Sequence, residues 1–197
     1  MKILFITLEF DQYITGGIGR VVNSLVPTLG IKLELQIILI KDVNHIFKSI
    51  RLFQRENNQW NEKKYLHFGY RMLVDLINTE KYNAVHLFYA ENKTAAVARL
   101  IKKRFPSLPV IYSCHSLIKY EKAIRSNYPS MLKHENIIIH NIDYLHLLNW
   151  TSLKYFQAAY PAATGQIPYS IIPNGIAEES FQKKDAQFEL KMKQAFY

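Results

Sequence analysis

An α/β domain built on a doubly wound, mostly parallel sheet is the fold that the sequence predicts, on three observations. Apolar runs of strand length recur through the chain, amphipathic helical stripes separate several of them, and glycine, proline and cation clusters mark where those stripes end. The runs are near-continuous rather than alternating, as strands covered on both faces require, and a parallel sheet flanked by helices supplies that cover.

The expected strands are Ile3 to Leu8, Leu33 to Ile40, Ala84 to Tyr89, Val110 to Ser113, Tyr144 to Leu148 and Tyr169 to Ile172. Between them, Val22, Leu25, Val26 and Leu29 fall on one face of a helix. Val43, Ile46, Phe47 and Ile50 repeat that spacing, and Val97, Leu100, Ile101 and Phe105 follow it with some slack. Gly30 follows the first stripe; Lys102, Lys103 and Arg104 crowd the end of another, where cations meet the negative helix terminus. Pro106 and Pro109 forbid its continuation. Beyond Glu178 the chain turns polar and then carries Phe188, Met192 and Phe196 at helical spacing. In an alternating fold of this kind ligands bind beyond the carboxyl ends of the strands, so function is expected in the loops that follow them.

The 197 residues are 49% hydrophobic and 21% charged, ordinary globular composition and enough for one core. One cysteine, Cys114, forms neither an intrachain disulfide nor a zinc knuckle, and a reducing, cytoplasmic location is expected. The amino terminus is read as a buried strand rather than a signal peptide, because Glu9 and Asp11 follow its short apolar run at once. No stretch approaches the roughly 18 uninterrupted apolar residues of a membrane span. Twenty-five basic against 16 acidic side chains leave a formal charge of +9, which suits a phosphate, a nucleotide or a lipid surface. The cations stand in small groups without interleaved aromatics, so no nucleic-acid partner is expected, while peripheral contact at the inner membrane face stays open.

The loop after the first strand carries Gly16, Gly17 and Gly19 and runs into the first helix. Backbone without Cβ atoms can approach a ligand closely, and the helix start offers N–H groups to an anion. A glycine-rich turn that merely starts a helix is the plainer reading. A dinucleotide fingerprint is only partly met: Val22 stands where a third glycine belongs, though Asp42 lies at the distance of a ribose-binding acid, which keeps an oxidoreductase as an alternative. His134, His140 and His146, six residues apart, do not share a helix face, and neither an Asp-x-Asp pair nor a Gly-x-Ser-x-Gly elbow occurs.

Lys2-Ile3-Leu4-Phe5-Ile6-Thr7, then Gly16-Gly17-Ile18-Gly19-Arg20-Val21-Val22, Tyr112-Ser113-Cys114-His115-Ser116 and Ile171-Ile172-Pro173-Asn174-Gly175-Ile176 follow one another in order. In that order they resemble the amino-terminal half of the group 1, glycogen-synthase-like retaining glycosyltransferases. The resemblance implies one Rossmann-like half of a GT-B fold over residues 1–180, with 181–197 as a connecting helix toward a carboxy-terminal donor-binding domain that would be its partner in the same enzyme. It implies transfer of a sugar from a nucleotide-diphosphate donor to an acceptor hydroxyl on a saccharide, a lipid-linked carrier or a small molecule, with no cofactor and no metal.

Gly16 and Gly17 resemble the family glycines whose backbone approaches the leaving phosphate and the transferred sugar, and Gly19 and Glu9 join them as candidate substrate- or phosphate-binding residues. A solvated loop carboxylate is the other reading of Glu9. His115 resembles the strand-end histidine beside the donor sugar and is the expected catalytic residue; a structural histidine is the other reading. Ser116, which stands where many relatives have aspartate, is a further candidate substrate- or phosphate-binding residue, and Ile14 stands where bacterial glycogen synthases have lysine, which argues against that enzyme. Asn174 is read as a turn residue between Pro173 and Gly175. The alternative to a transferase is a stand-alone phosphate- or nucleotide-binding module using the same Gly16 to Gly19 loop.

Overall fold

The computed structural model describes residues 1–10, 16–30, 32–40, 49–56, 59–66, 70–115, 117–118 and 128–174. Ile14, Asp42, Val43, Ile46, Phe47, Ser116, Gly175 and the expected connecting helix at 181–197 lie outside them.

In order, the chain forms β1 (Lys2–Thr7), α1 (Gly17–Gly30), β2 (Glu34–Ile40), β3 (Ser49–Glu56), β4 (Gln59–Leu66), α2 (Tyr70–Glu80) and β5 (Ala84–Leu87). It continues through α3 (Asn92–Arg104), β6 (Val110–Cys114), α4 (Tyr128–Ile139), β7 (Tyr144–Leu147), α5 (Trp150–Ala159), α6 (Pro161–Thr164) and β8 (Tyr169–Ile171). All eight strands join one sheet in the order β4-β3-β2-β1-β5-β6-β7-β8. β1 is central and parallel to both neighbours, with Ile3 opposite Leu35 and Ala84. From β2 across to β8 every pairing is parallel. No helix among the described residues is long and apolar enough to cross a membrane.

The six apolar runs each became a strand, ending within a residue or two of the expected bounds. The alternation of strand and helix did not hold throughout. The stripe ending at Ile50 predicted a helix, yet Ile50 lies in β3 and pairs antiparallel with Ile40. Ile50 and Leu52 also fit an alternating strand, and the open edge of β2 captures that pattern; pairing overrides a short local periodicity. β4 then folds back on β3, with Glu56 opposite Gln59. β4 is the outer strand, and its sequence carries Glu62, Lys63 and Lys64, residue types that discourage further pairing at a sheet edge.

Burial explains the layering. Along β1, Leu4 and Ile6 join a core with Leu73 and Ile77 of α2, Val97 and Ile101 of α3, Ile138 of α4 and Phe156 of α5. Ile3 and Phe5 face the other way, into a core with Val22 and Val26 of α1 and Phe53 of β3. Helices on both faces leave β1 and β2 no wet side, which is why their runs are near-continuous, with Gln36 the one polar residue inside the β2 run. Local signals fix the helix starts: the Thr94 hydroxyl accepts from the Glu91 amide (2.9 Å) and donates to the Glu91 carbonyl (2.9 Å) before α3, and Asn149 Oδ1 accepts from the Ser152 amide (2.8 Å) before α5.

Candidate functional site

After β1 the chain turns to α1 on one face; after β5 it turns to α3 on the other. The two loops therefore diverge at the carboxyl ends of adjacent strands, and that switch point is where an open α/β sheet leaves a crevice.

The first wall is built around Glu9. The Thr7 hydroxyl donates to the Glu9 carbonyl (3.0 Å) and accepts from its amide (3.3 Å), so the loop leaves the strand in a fixed turn. The carboxylate then reaches α1, where Glu9 Oε2 accepts from the Gly16 amide (2.8 Å) and the Gly19 amide (3.1 Å). The Tyr89 hydroxyl, half-buried after β5, also hydrogen-bonds Glu9, and burial first and that carboxylate second hold the phenol well above its usual range. Glu9 is thus a largely buried cap on the positive end of α1 rather than a solvated loop carboxylate.

This changes the reading of the glycine turn, because two of the amides that the sequence offered to an anion are already bonded to the chain's own carboxylate. The glycines separate accordingly. A Cβ at Gly16 would stand 3.1 Å from Glu9 Oε1, so the close approach there is to Glu9. A Cβ at Gly17 would meet nothing within 4 Å, and no described glycine has a positive φ. Neither packing nor backbone conformation demands glycine at 17, so its bare backbone is free to serve a ligand.

The second wall is His115, which follows β6. With Ile18 of α1, Phe88, Tyr89, Tyr112 and Met131 of α4 it lines a cavity of about 90 Å³. Ile18 follows Gly17 in sequence and Tyr89 bonds Glu9, so the first wall meets the His115 cavity through these two side chains. Burial first and nearby His146 second lower the His115 pKa to about 4, which leaves the ring neutral at pH 7. Its Nε2 is buried with no hydrogen-bond partner among the described residues. Such a group costs about 1–3 kcal/mol unless something satisfies it, and a ligand hydroxyl at the cavity would do so. Ser116 lies outside the described residues.

A polar chain beside His115 escaped the sequence reading. His86 Nε2 lies 2.7 Å from Ser113 Oγ, Ser113 Oγ 2.7 Å from His146 Nδ1, and His146 Nε2 2.8 Å from the Ile172 carbonyl. A carbonyl only accepts, so His146 Nε2 donates. The Ser113 hydroxyl donates to His146 Nδ1 and in turn accepts from His86 Nε2–H. Four successive strand ends, β5 to β8, are tied by one directed chain. Burial first, with His146 and His115 behind it, lowers the His86 pKa to about 3. His86 stacks on Phe88 at 4.2 Å, and Phe88 faces His115 at 6.4 Å. The signal was present in the sequence: His86 and His146 are single polar interruptions of otherwise apolar strands.

Ser113 is 1% exposed with its hydroxyl held from both sides, so it connects rather than attacks. Cys114 is also 1% exposed and belongs to the core beneath α2 to α5, out of reach of a substrate. His134 sits on α4, His140 just beyond it and His146 on β7; among the described residues no three His, Cys, Asp or Glu are placed to hold a metal.

No protein-family profile matches the chain, and no curated protein sequence does. Among solved structures, a secreted C11 cysteine protease from Bacteroides thetaiotaomicron, iotapain, is similar over 85% of this chain at 12% identity and a TM-score of 0.36. This chain spans 50% of the length of that one. A likeness of that size carries no argument about ancestry or activity. What stands is a mixed α/β protein with an eight-stranded, mostly parallel sheet and a crevice at its switch point.

Proposed function

We propose that this chain is the acceptor-side half of a retaining glycosyltransferase of the GT-B kind, which moves a sugar from a nucleotide-diphosphate donor to an acceptor hydroxyl. The observation that carries the reading is one cavity that joins residues far apart in sequence: Ile18, next to the Gly16–Gly17 turn, Tyr89, bonded to Glu9, and a neutral His115 whose Nε2 has no partner among the described residues.

The division of labour follows from charge. A phosphate brought to the α1 terminus would face the Glu9 carboxylate, and two unit charges 4 Å apart repel by about 4 kcal/mol at an effective dielectric of 20. Sugar hydroxyls are not repelled; they can donate to a carboxylate and accept from an imidazole N–H. In this reading the transferred sugar and the acceptor lie against Glu9, Gly17 and His115, and cations of a second domain hold the diphosphate. Departure of the diphosphate leaves an oxocarbenium-like centre, so His115 acts by placing a hydrogen bond where charge develops.

In the enzyme carrying both domains, His115→Ala is expected to lower kcat by about 10²-fold. A normal kcat with a large fall in melting temperature would return His115 to a structural role. Gly17→Val is expected to leave stability within about 0.5 kcal/mol, since its side chain enters open space, while transfer is lost to the blocked approach. Turnover within a few-fold of the parent would remove Gly17 from the reaction centre. The 197-residue chain alone should bind a panel of nucleotide-sugars no better than about 1 mM, near 4 kcal/mol, by titration calorimetry. Micromolar affinity for a nucleotide would favour the stand-alone nucleotide-binding module, which the Glu9 carboxylate otherwise disfavours.

A further inference from the structure

A larger cavity adjoins this crevice: its Asn92 follows Glu91 and its His134 stands one helical turn from Met131, and Glu91 and Met131 both line the His115 cavity. It lies between α3 and α4 on the helical face of the sheet and measures about 430 Å³. Its floor is apolar, with Ala95, Leu100 and Ile137, and its rim carries Arg99, Lys103, Lys133 and His134. Arg99 and Lys103 are four residues apart on α3, and so share one side of that helix.

No acid from either helix answers these cations. α3 has no aspartate or glutamate. The one acid of α4, Glu135, is fully buried and turned to the Ile118 amide and the Tyr160 hydroxyl. Asp143, the acid beyond α4, is bound to Lys102 at 2.5 Å and to the Val110 amide. Arg99, Lys103 and Lys133 form no ion pair with any described residue. A volume within the usual range of small-molecule sites, an apolar floor and a cationic rim with no ion-pair partner among the described residues define one ligand chemistry: a phosphate group carried on an uncharged, partly apolar body.

We propose that the α3–α4 cavity, beside the switch-point crevice, binds such a phosphate-bearing ligand, independently of the transferase reading. The rim would hold the phosphate and the floor the body. A soluble phosphomonoester and an anionic lipid headgroup share this chemistry, and the test separates them.

His134 reports occupancy from inside the cavity. Burial first and the Lys133 charge second lower its pKa. Arg99, Lys103 and Lys133 face it from the two helices, and a bound phosphate opposes all three. NMR titration of the His134 ring in the 197-residue chain with phenyl phosphate is expected to raise its pKa by about 0.5–1 unit, with a Kd of about 1 mM or tighter. The response should weaken as salt rises. Sedimentation with phosphatidylcholine vesicles containing phosphatidylglycerol is the second arm. The double variant Arg99→Glu and Lys103→Glu changes exposed side chains without ion-pair partners among the described residues, so it keeps the fold, as circular dichroism would verify, and should weaken binding at least about tenfold. A phenyl phosphate response lost in that variant supports a soluble ligand, and vesicle binding alone, lost in the variant, supports a headgroup. Silence in both arms, or binding indifferent to the double variant, overturns the proposal.

Discussion

Lowering the pH from 7 to 5 is expected to remove about 4 kcal/mol of folding stability through His86 and His115 alone. Their pKa values in the folded protein are about 3 and about 4, both below the 6.5 of an ordinary histidine. Burial causes both shifts. A group depressed in this way gives its full contribution above 6.5 and loses it as pH falls toward the folded value, because the unfolded chain takes up the proton and the folded chain does not. Two such groups give a slope of about 2.5 kcal/mol per pH unit near pH 5, large against the total of about 5–15 kcal/mol typical of a domain. Urea unfolding at stepped pH measures it, and His115→Gln should reduce the loss to about half. A stability that is flat between pH 6.5 and 5 would mean that these rings are not buried as described.

Glu135→Ala is expected to destabilise the protein by roughly 3–5 kcal/mol, a fall in melting temperature on the order of 10 °C. The carboxylate is 0% exposed. It accepts from the Ile118 amide at 2.8 Å and from the Tyr160 hydroxyl at 2.6 Å. Alanine strands both donors in the core and leaves a void where the carboxylate stood. Glu135→Gln keeps an oxygen for Ile118 and lets the Tyr160 hydroxyl turn to accept, so it should cost less than half as much. Calorimetry of both variants decides the matter, and an alanine variant that melts within 2 °C of the parent would remove Glu135 from the framework. The site is involved too, since Ile118 and Met131 of α4 both line the His115 cavity.

The strands that carry the crevice were legible because burial on both faces writes an unbroken apolar run, as in Ile3 to Ile6 and Ile37 to Ile40. Edge strands write no such run. β4, with Asn61, Glu62, Lys63 and Lys64 in a row, has no apolar period, and only the Asn57–Asn58 pair between Phe53 and Trp60 hinted at a hairpin. At the site, the positions of Gly16, Gly17 and His115 beyond strand ends followed from topology. The Glu9 cap did not, because the reach of a carboxylate over seven and ten residues depends on how its loop folds. The His86–Ser113–His146 chain was hidden for a related reason: it runs across the sheet, and its members meet only once four strands have aligned.

The β3–β4 hairpin also bears on how fast the chain folds. Its register is entirely local, starting from Glu56 opposite Gln59, and isolated hairpins close in about 1–10 μs. The pairing of β1 with β5 is of the opposite kind, fastened at its lower end by the Lys2 amide donating to Asn83 Oδ1, a contact 81 residues apart in sequence. Closing a flexible loop of that length costs about 4 kcal/mol of chain entropy before any contact rewards it. The hairpin lies inside that loop and pairs with β2, which pairs with β1, so its early formation would turn much of the loop from loose coil into an ordered block and bring the amino end of α2 nearer to its place. Cutting or permuting the chain at Asn57–Asn58 would therefore slow refolding far more than it would speed unfolding.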